Sequence, residues 1–363
     1  AQRDSNLVLD RIYCLQRGSE VAREAGEMNL AVSRVQSAQQ QLEHSPLRPE
    51  VLQTSLMVTL ANAYTAAGRL REATFIYQQV DKHITRLGRE NTQSAGTLFS
   101  DWGLALSLLG RPVEAVSVLR RAISISQDER GEASVSPVVL INYARALRDA
   151  GSYEEASQVA ERAHKLAIQL GLDSTVNHAL LTRARNYLAQ AETDQAERML
   201  DEAEARLRQV LPEGHYGFAA VLSQRSMVAE QRGDLAGALQ LAEEAIAIAQ
   251  AATASGQSGA SNLVIYLTRR SELRRQLGQF EPAVEDASRA LQLLMEGIPE
   301  NTWSIGLGRA YLALAQALGA HGDREGEREN LELALANFQD AAGPQHPETL
   351  QVKTYLEAVK ITH

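Results

Sequence analysis

The sequence is poor in the residues that most often carry chemistry. It contains a single cysteine, Cys14, so no disulfide closes within the chain and a thiolate zinc site is excluded. Its eight histidines are scattered, with no His-x-x-x-His and no His-Glu-x-x-His spacing, so no metal site is expected. Phosphate-binding and nucleophile motifs are missing too: there is no Gly-x-x-x-x-Gly-Lys-Ser/Thr and no Gly-x-Ser-x-Gly. The one Gly-x-Gly, in Gly306–Ala310, sits inside a predicted helix with no strand before it and reads as close packing rather than phosphate binding. Paired carboxylates such as Glu154/Glu155 and Glu243/Glu244 fall just after turns, where they complement a helix dipole. No enzyme activity and no cofactor are expected.

Other absences bound the setting. No apolar run approaches the ~20 residues of a membrane-spanning helix. No alternating strand pattern and no Asn-Gly hairpin occurs. The net charge of −9 argues against a nucleic-acid surface, which needs a basic footprint. Four lysines stand against thirty-two arginines, a bias that hints at a GC-rich bacterial genome. The chain opens Ala-Gln-Arg-Asp with no starting methionine and no signal-peptide pattern. We therefore expect a cytoplasmic segment of a longer protein.

What is present is a repeat. A turn glycine is followed five residues later by alanine at Gly26/Ala31, Gly68/Ala73, Gly110/Ala115, Gly151/Ala156, Gly233/Ala238 and Gly278/Ala283. Ala191/Ala196 and Gly322/Glu327 complete a series of eight turns spaced 40–45 residues apart. Seven residues before each turn the side chain is small: Ser19, Ala61, Gly103, Ala144, Ala184, Ser226, Ser271 and Ala315. Twelve residues after it stands alanine, except Val80 in the second unit. Small residues at fixed offsets let two helix backbones cross closely. Each unit then reads as two amphipathic helices joined by a short turn, with glycines such as Gly88, Gly131, Gly171, Gly214, Gly297 and Gly343 at C-terminal caps. The stretch Ser255–Ser261 reads as a loop between repeats.

Leu60–Val80 and Ile141–Ala163 resemble the tetratricopeptide repeat in their small residue, turn glycine and helix-B alanines. The longer units resemble its kinesin-light-chain-type subclass, as does His346–Leu350. The resemblance implies an all-α, right-handed superhelical solenoid of about eight helix–turn–helix repeats. We place them at about 7–44, 47–88, 91–131, 134–171, 173–213, 215–256, 260–297 and 301–343, in one array spanning 1–363. A terminal helix at 347–361 would cover the last repeat. The aromatic that the family carries before the turn is kept as Tyr64 and Tyr187. Ala22, Ala229 and Arg274 fit that position poorly, so looser packing is expected in the seventh unit.

In such arrays the first helix of each pair lines the concave face, and groove positions lie ten, six and three residues before the turn. The resemblance puts Asn62 there, then Arg145 and Arg148, then Arg185, with Glu230 and Glu272 further along. Ile141, Leu181 and Leu188 flank the arginines. Asn142 lies one position away, where some family members use asparagine to contact a peptide backbone. Three converging arginines suit a carboxylate, because the planar guanidinium pairs with it bidentately. Two readings stay open: the arginines await an acidic segment or a C-terminal carboxylate, or they pair with neighbours such as Asp149. The lysine–asparagine clamp of chaperone-binding members is missing, since Asp101 stands where a second asparagine is needed.

These features imply a protein- or peptide-binding scaffold. Tyr13–Leu42 resembles repeat regions that follow kinase domains in some bacterial serine/threonine kinases, so a regulatory module of a larger signalling protein is expected. A sensor of small signalling peptides that changes curvature is the first alternative. A structural spacer or self-assembly module with no groove ligand is the second. The sequence leaves the oligomeric state open.

Overall fold

The computed structural model describes residues 2–361, apart from 26, 128–134, 213, 255–259, 298–302, 304 and 342. The described residues form seventeen α-helices and no strand. They divide into two compact units, 1–135 and 136–363. The first holds α1 (Gln2–Glu24), α2 (Met28–Glu43), α3 (Glu50–Ala66), α4 (Leu70–Arg86), α5 (Gln93–Leu108) and α6 (Pro112–Gln127). The second opens with α7 (Pro137–Asp149), α8 (Tyr153–Gln169), α9 (Asp173–Ala189), α10 (Thr193–Val210), α11 (Gly217–Gln231) and α12 (Leu235–Ala254). It continues through α13 (Ala260–Gln276), α14 (Phe280–Gly297), α15 (Ile305–His321), α16 (Arg324–Ala341) and α17 (Pro347–Ile361).

Within each unit the architecture is a helical solenoid. Each odd-numbered helix packs on the even-numbered helix that follows it, and that helix packs on the next pair. First helices also touch the first helix of the next repeat, as α1 touches α3, α7 touches α9 and α9 touches α11. α17 packs on α16. Of the loop expected at Ser255–Ser261, Ala260 and Ser261 already belong to α13, and the remainder lies outside the described residues.

The turn code has a backbone cause. At seven of the eight turns the marked residue has positive φ: Gly68, Gly110, Gly151, Ala191, Gly233, Gly278 and Gly322. Gly26, which opens the series, lies outside the described residues, as does the cap residue Gly131. Left-handed backbone at this point lets the next amide reach back to the helix end, as in Ser152 N–H to Leu147 O and Glu192 N–H to Tyr187 O, both 2.9 Å. Orphan carbonyls are satisfied this way, and glycine is favoured there because it has no Cβ to clash. Ala191 adopts φ 58° with a Cβ present. Left-handed strain of about 1–2 kcal/mol attaches to it, against about 0.4–1 kcal/mol of extra unfolded-chain freedom that glycine would bring. Ala191→Gly should therefore raise stability by about 0.5–1 kcal/mol, read as a higher midpoint in thermal unfolding; a lower midpoint would refute the strain.

The small-residue code has a packing cause. Ala61, Ala144, Ala184 and Ala315 are fully buried. A Cβ on Gly103 would lie 2.4 Å from Leu119 Cγ, so helix α6 closes over α5 at a distance only glycine allows. Where serine takes this place, its hydroxyl donates to the carbonyl of the alanine five residues past the turn: Ser19 to Ala31, Ser226 to Ala238 and Ser271 to Ala283, at 2.7–2.8 Å. Serine there is a small residue with a satisfied polar atom, which removes the penalty of burying it.

The seventh repeat corrects an expectation. Arg274 does not loosen the packing. Asp286, 4% exposed, sits eight residues past the turn and takes both Arg270 and Arg274. Arg270 binds it bidentately at 2.8 and 2.6 Å, and Arg274 adds a bond of 2.9 Å. An ion triad fills the space that an aromatic fills elsewhere. Ser271, Leu273, Ala283, Ala287 and Ala290 are all buried around it.

Candidate functional site

The first helices of four successive repeats build one cleft in the unit 136–363. Its volume is about 290 Å³, and its charged wall is Arg145 and Arg148 from α7 with His178 and Arg185 from α9. α11 contributes Gln224 and Met227, and α13 contributes Ile265 and Tyr266. Helical spacing explains the convergence. His178, Leu181, Thr182 and Arg185 recur at three- and four-residue steps, so one face of α9 presents all four.

The three arginines differ in their partners. Arg148 is tied to Asp149, with Nε and a terminal nitrogen at 3.1 and 2.8 Å from one carboxylate oxygen. That contact spends Asp149. Neither Arg145 nor Arg185 has a hydrogen bond or ion pair among the described residues. Burial, then the charge of Arg148, holds Arg145 below the ordinary guanidinium value, with Asp149 opposing. Burial and the charges of Arg148 and Arg145 push Arg185 down to about 10. Solvent still reaches Arg185 and His178 through the open mouth of the cleft, and Arg185 remains a cation at neutral pH. Burial and the charge of Arg145 lower His178. Tyr266 is buried and its hydroxyl is raised to about 12, with Arg185 opposing the shift. The cleft is thus a recess with uncompensated positive charge beside an apolar wall.

The other expected groove residues have different surroundings. Asn62 belongs to the unit 1–135, where it lines a cleft of about 600 Å³ with Gln16, Val58 and Thr59. Its Nδ2 donates to Asp101 at 3.0 Å, and it accepts from the Tyr77 hydroxyl. Burial raises the Asp101 carboxyl, against the opposing pull of that hydrogen bond and of Arg23. Asn142 is half-buried and does not line the arginine cleft. Glu230 accepts from Arg269 and Gln276 at 2.7 and 2.8 Å. Glu272 accepts from Arg275 and Gln276 at 2.6 and 2.9 Å. These two carboxylates form a charge-balanced ladder with their own arginines.

Two flanking positions need correction. Ile141 and Leu188 are 1% and 3% exposed and belong to the core, so of the three apolar flanks only Leu181 lines the cleft. Conversely, the offsets ten, six and three residues before the turn missed His178, Thr182, Gln224 and Tyr266. These lie at nine, twelve or thirteen residues before their turns. Thr182 and Gln224 fall between the expected positions, whereas His178 and Tyr266 carry the lining face about one helical turn further from the hairpin than those offsets allow. The 17-residue α9 is long enough to carry it.

Family models described as Tetratricopeptide repeat match residues 137–162 and 218–253. Both segments carry the turn and alanine code in its observed geometry. The chain carries tetratricopeptide repeats. No curated protein matches it in sequence. Among solved structures it is similar to a Rap protein complexed with Competence and Sporulation Factor, at 14% identity and TM-score 0.58, covering 97% of this chain and 98% of that one. It is also similar to the apo form of RapI, at 12% identity and TM-score 0.54, covering 79% and 99%. A kinesin light chain repeat protein from Podosopora anserina aligns at 19% identity and TM-score 0.42 over 56% of this tetratricopeptide repeat protein and 95% of that chain. Among the described residues, no group of three or more His, Cys, Asp or Glu is placed to hold a metal ion. No described helix is long and apolar enough to cross a membrane.

Proposed function

We propose that this protein is a binding module whose ligand is a peptide or protein segment, and that the segment places an anionic group between Arg145 and Arg185. The observation that carries this reading is the pair of guanidiniums in one cleft with no carboxylate of their own. Like charges held together raise the free energy of the empty site, and an anion reverses that sign. Leu181, Met227 and Ile265 beside them offer apolar surface to the rest of the segment. An acidic side chain or a C-terminal carboxylate is the matching group. The role is recognition rather than catalysis.

A sensor reading draws support from the Rap protein of similar fold, which holds a bound factor. The resemblance of Tyr13–Leu42 supports placement in a larger bacterial signalling protein such as a serine/threonine kinase. Thermal-shift screening against peptide sets matched in length, one acidic, one neutral and one basic, tests the central claim. Acidic members should raise the melting temperature, and Arg145→Glu combined with Arg185→Glu should remove that shift. An acidic peptide whose affinity survives the double reversal sinks the cleft assignment. A spacer predicts no response from any set.

A further inference from the structure

The cleft of the unit 1–135 shares no residue with the arginine cleft, and its chemistry is different. Its volume of about 600 Å³ falls within the roughly 300–1,000 Å³ of small-molecule sites. Val51 and Val58 from α3, Ile84 from α4 and Leu98 from α5 give it an apolar wall. Val80 lines it too, and Val80 is the one departure from alanine twelve residues past a turn. Its added bulk stands where alanine lets helices close on each other. Val51 and Leu87 are 61% and 37% exposed, so the apolar wall is open to solvent. Val51 and Asn62 bound it along α3, which makes it about 16 Å long at the rise of a helix.

Most polar groups of this cleft are already engaged. Gln16 donates to Ser55 and Thr59 at 2.7 and 2.9 Å. The hydroxyls of Thr54, Thr92 and Thr97 donate to the carbonyls of Glu50, Arg89 and Gln93. A peptide guest would bring an N–H and a C=O with every residue and find few partners for them, and each one buried unpaired costs free energy. An acyl chain brings none. Charge completes the selection. Glu20 is held by Arg17 at 2.7 Å, whereas the Arg89 side chain has no hydrogen bond or ion pair with any described residue. We propose that this cleft binds an amphiphilic carboxylate of the fatty-acid class, with its chain along Val51, Val58 and Ile84 and its carboxylate at Arg89.

Isothermal titration calorimetry on the full chain, with each probe below its micelle concentration, tests this. Decanoate should bind about tenfold more tightly than octanoate, the increment for two further buried methylenes. It should also bind more tightly than decyltrimethylammonium, which has the same chain and the opposite charge, despite the net charge of −9 on the protein. Arg89→Gln should weaken decanoate by about fivefold, the upper end for an exposed ion pair, and Arg89→Glu should reverse the preference between the two head groups. Val58→Trp, which obstructs the cleft, should remove decanoate binding. Val51→Asp, at a position already exposed, is the second variant should circular dichroism show that the first disturbs folding. Acetyl-Leu-Val-Leu, an apolar peptide ending in a carboxylate, should bind more weakly than decanoate. No binding of decanoate, equal affinities for octanoate and decanoate, or a decanoate affinity untouched by Val58→Trp and Val51→Asp overturns the proposal. A tripeptide that binds as tightly as decanoate overturns it as well, because the cleft would then be one more peptide groove. A preference for decanoate that survives Arg89→Glu overturns the placement of the carboxylate.

Discussion

Asp286→Ala should destabilise the repeat formed by α13 and α14 by about 3–5 kcal/mol, the range for removing one partner of a buried ion pair. The reason is the asymmetry of the triad. Asp286 is the shared anion of two arginines whose side chains are only 18% and 16% exposed. Deleting it leaves two guanidiniums buried side by side, with the Pro282 carbonyl at 3.4 Å and the Glu243 carboxylate at 3.3 Å from Arg274. Replacing all three, as Arg270→Leu with Arg274→Leu and Asp286→Leu, should cost far less or stabilise, because well-packed apolar groups of similar volume often outperform a buried triad. Repeat arrays transmit stability mainly between neighbours. Hydrogen exchange should therefore rise first in α13 and α14, with smaller changes in α7 and α8. Urea unfolding supplies the overall magnitude. If Asp286→Ala and the triple variant prove equally stable, the triad is not holding the repeat together.

That triad also marks where the sequence stopped being legible. Gly151 and Ala156 could be read because each answers a constraint local in the chain: left-handed backbone at a turn, and close helix approach just after it. Arg274 alone looks like a poor substitute for an aromatic. Its meaning depends on Asp286, twelve residues on, at a place where the second and fourth units carry Ile76 and Val159. The same twelve-residue step joins Ser226 to Ala238 and Tyr143 to Glu155. Contact across the hairpin at that step makes the pair complementary, and only the folded geometry reveals it. The site follows the same division. Arg145, Arg148 and Arg185 were found because the groove offsets counted back from the turns Gly151 and Ala191 fall on them. Gln224 and His178 were not, since polar residues are ordinary on a first helix and their lack of partners is a property of three dimensions. Ile141 and Leu188 went to the wrong side because the apolar core wraps further around the first helices than a three-position offset describes.

Arg185→Gln should raise the melting temperature of the free protein while weakening an acidic guest by about tenfold, about 1.4 kcal/mol. The two effects have one cause. In the empty cleft Arg185 faces Arg145 and Arg148 with only Asp149 opposing, so neutralising it relieves repulsion. With a guest present the same charge is what the anion binds. Functional sites commonly hold such destabilising arrangements. Salt should mimic both effects: screening stabilises the empty cleft and weakens the guest. His178 adds a pH signature. Burial and Arg145 lower it in the free protein, and a bound anion opposes Arg145 and raises it again. Binding then takes up a proton. Affinity should increase as pH falls below the ordinary histidine value of about 6.5, until the guest carboxylate itself is protonated near 4. His178→Gln should flatten that rise without altering affinity at pH 8. An affinity that is flat from pH 8 to 5 in the wild type would show that the anion does not sit within the field of His178, and a melting temperature lowered by Arg185→Gln would show that the guanidinium is stabilised by the cleft rather than strained in it.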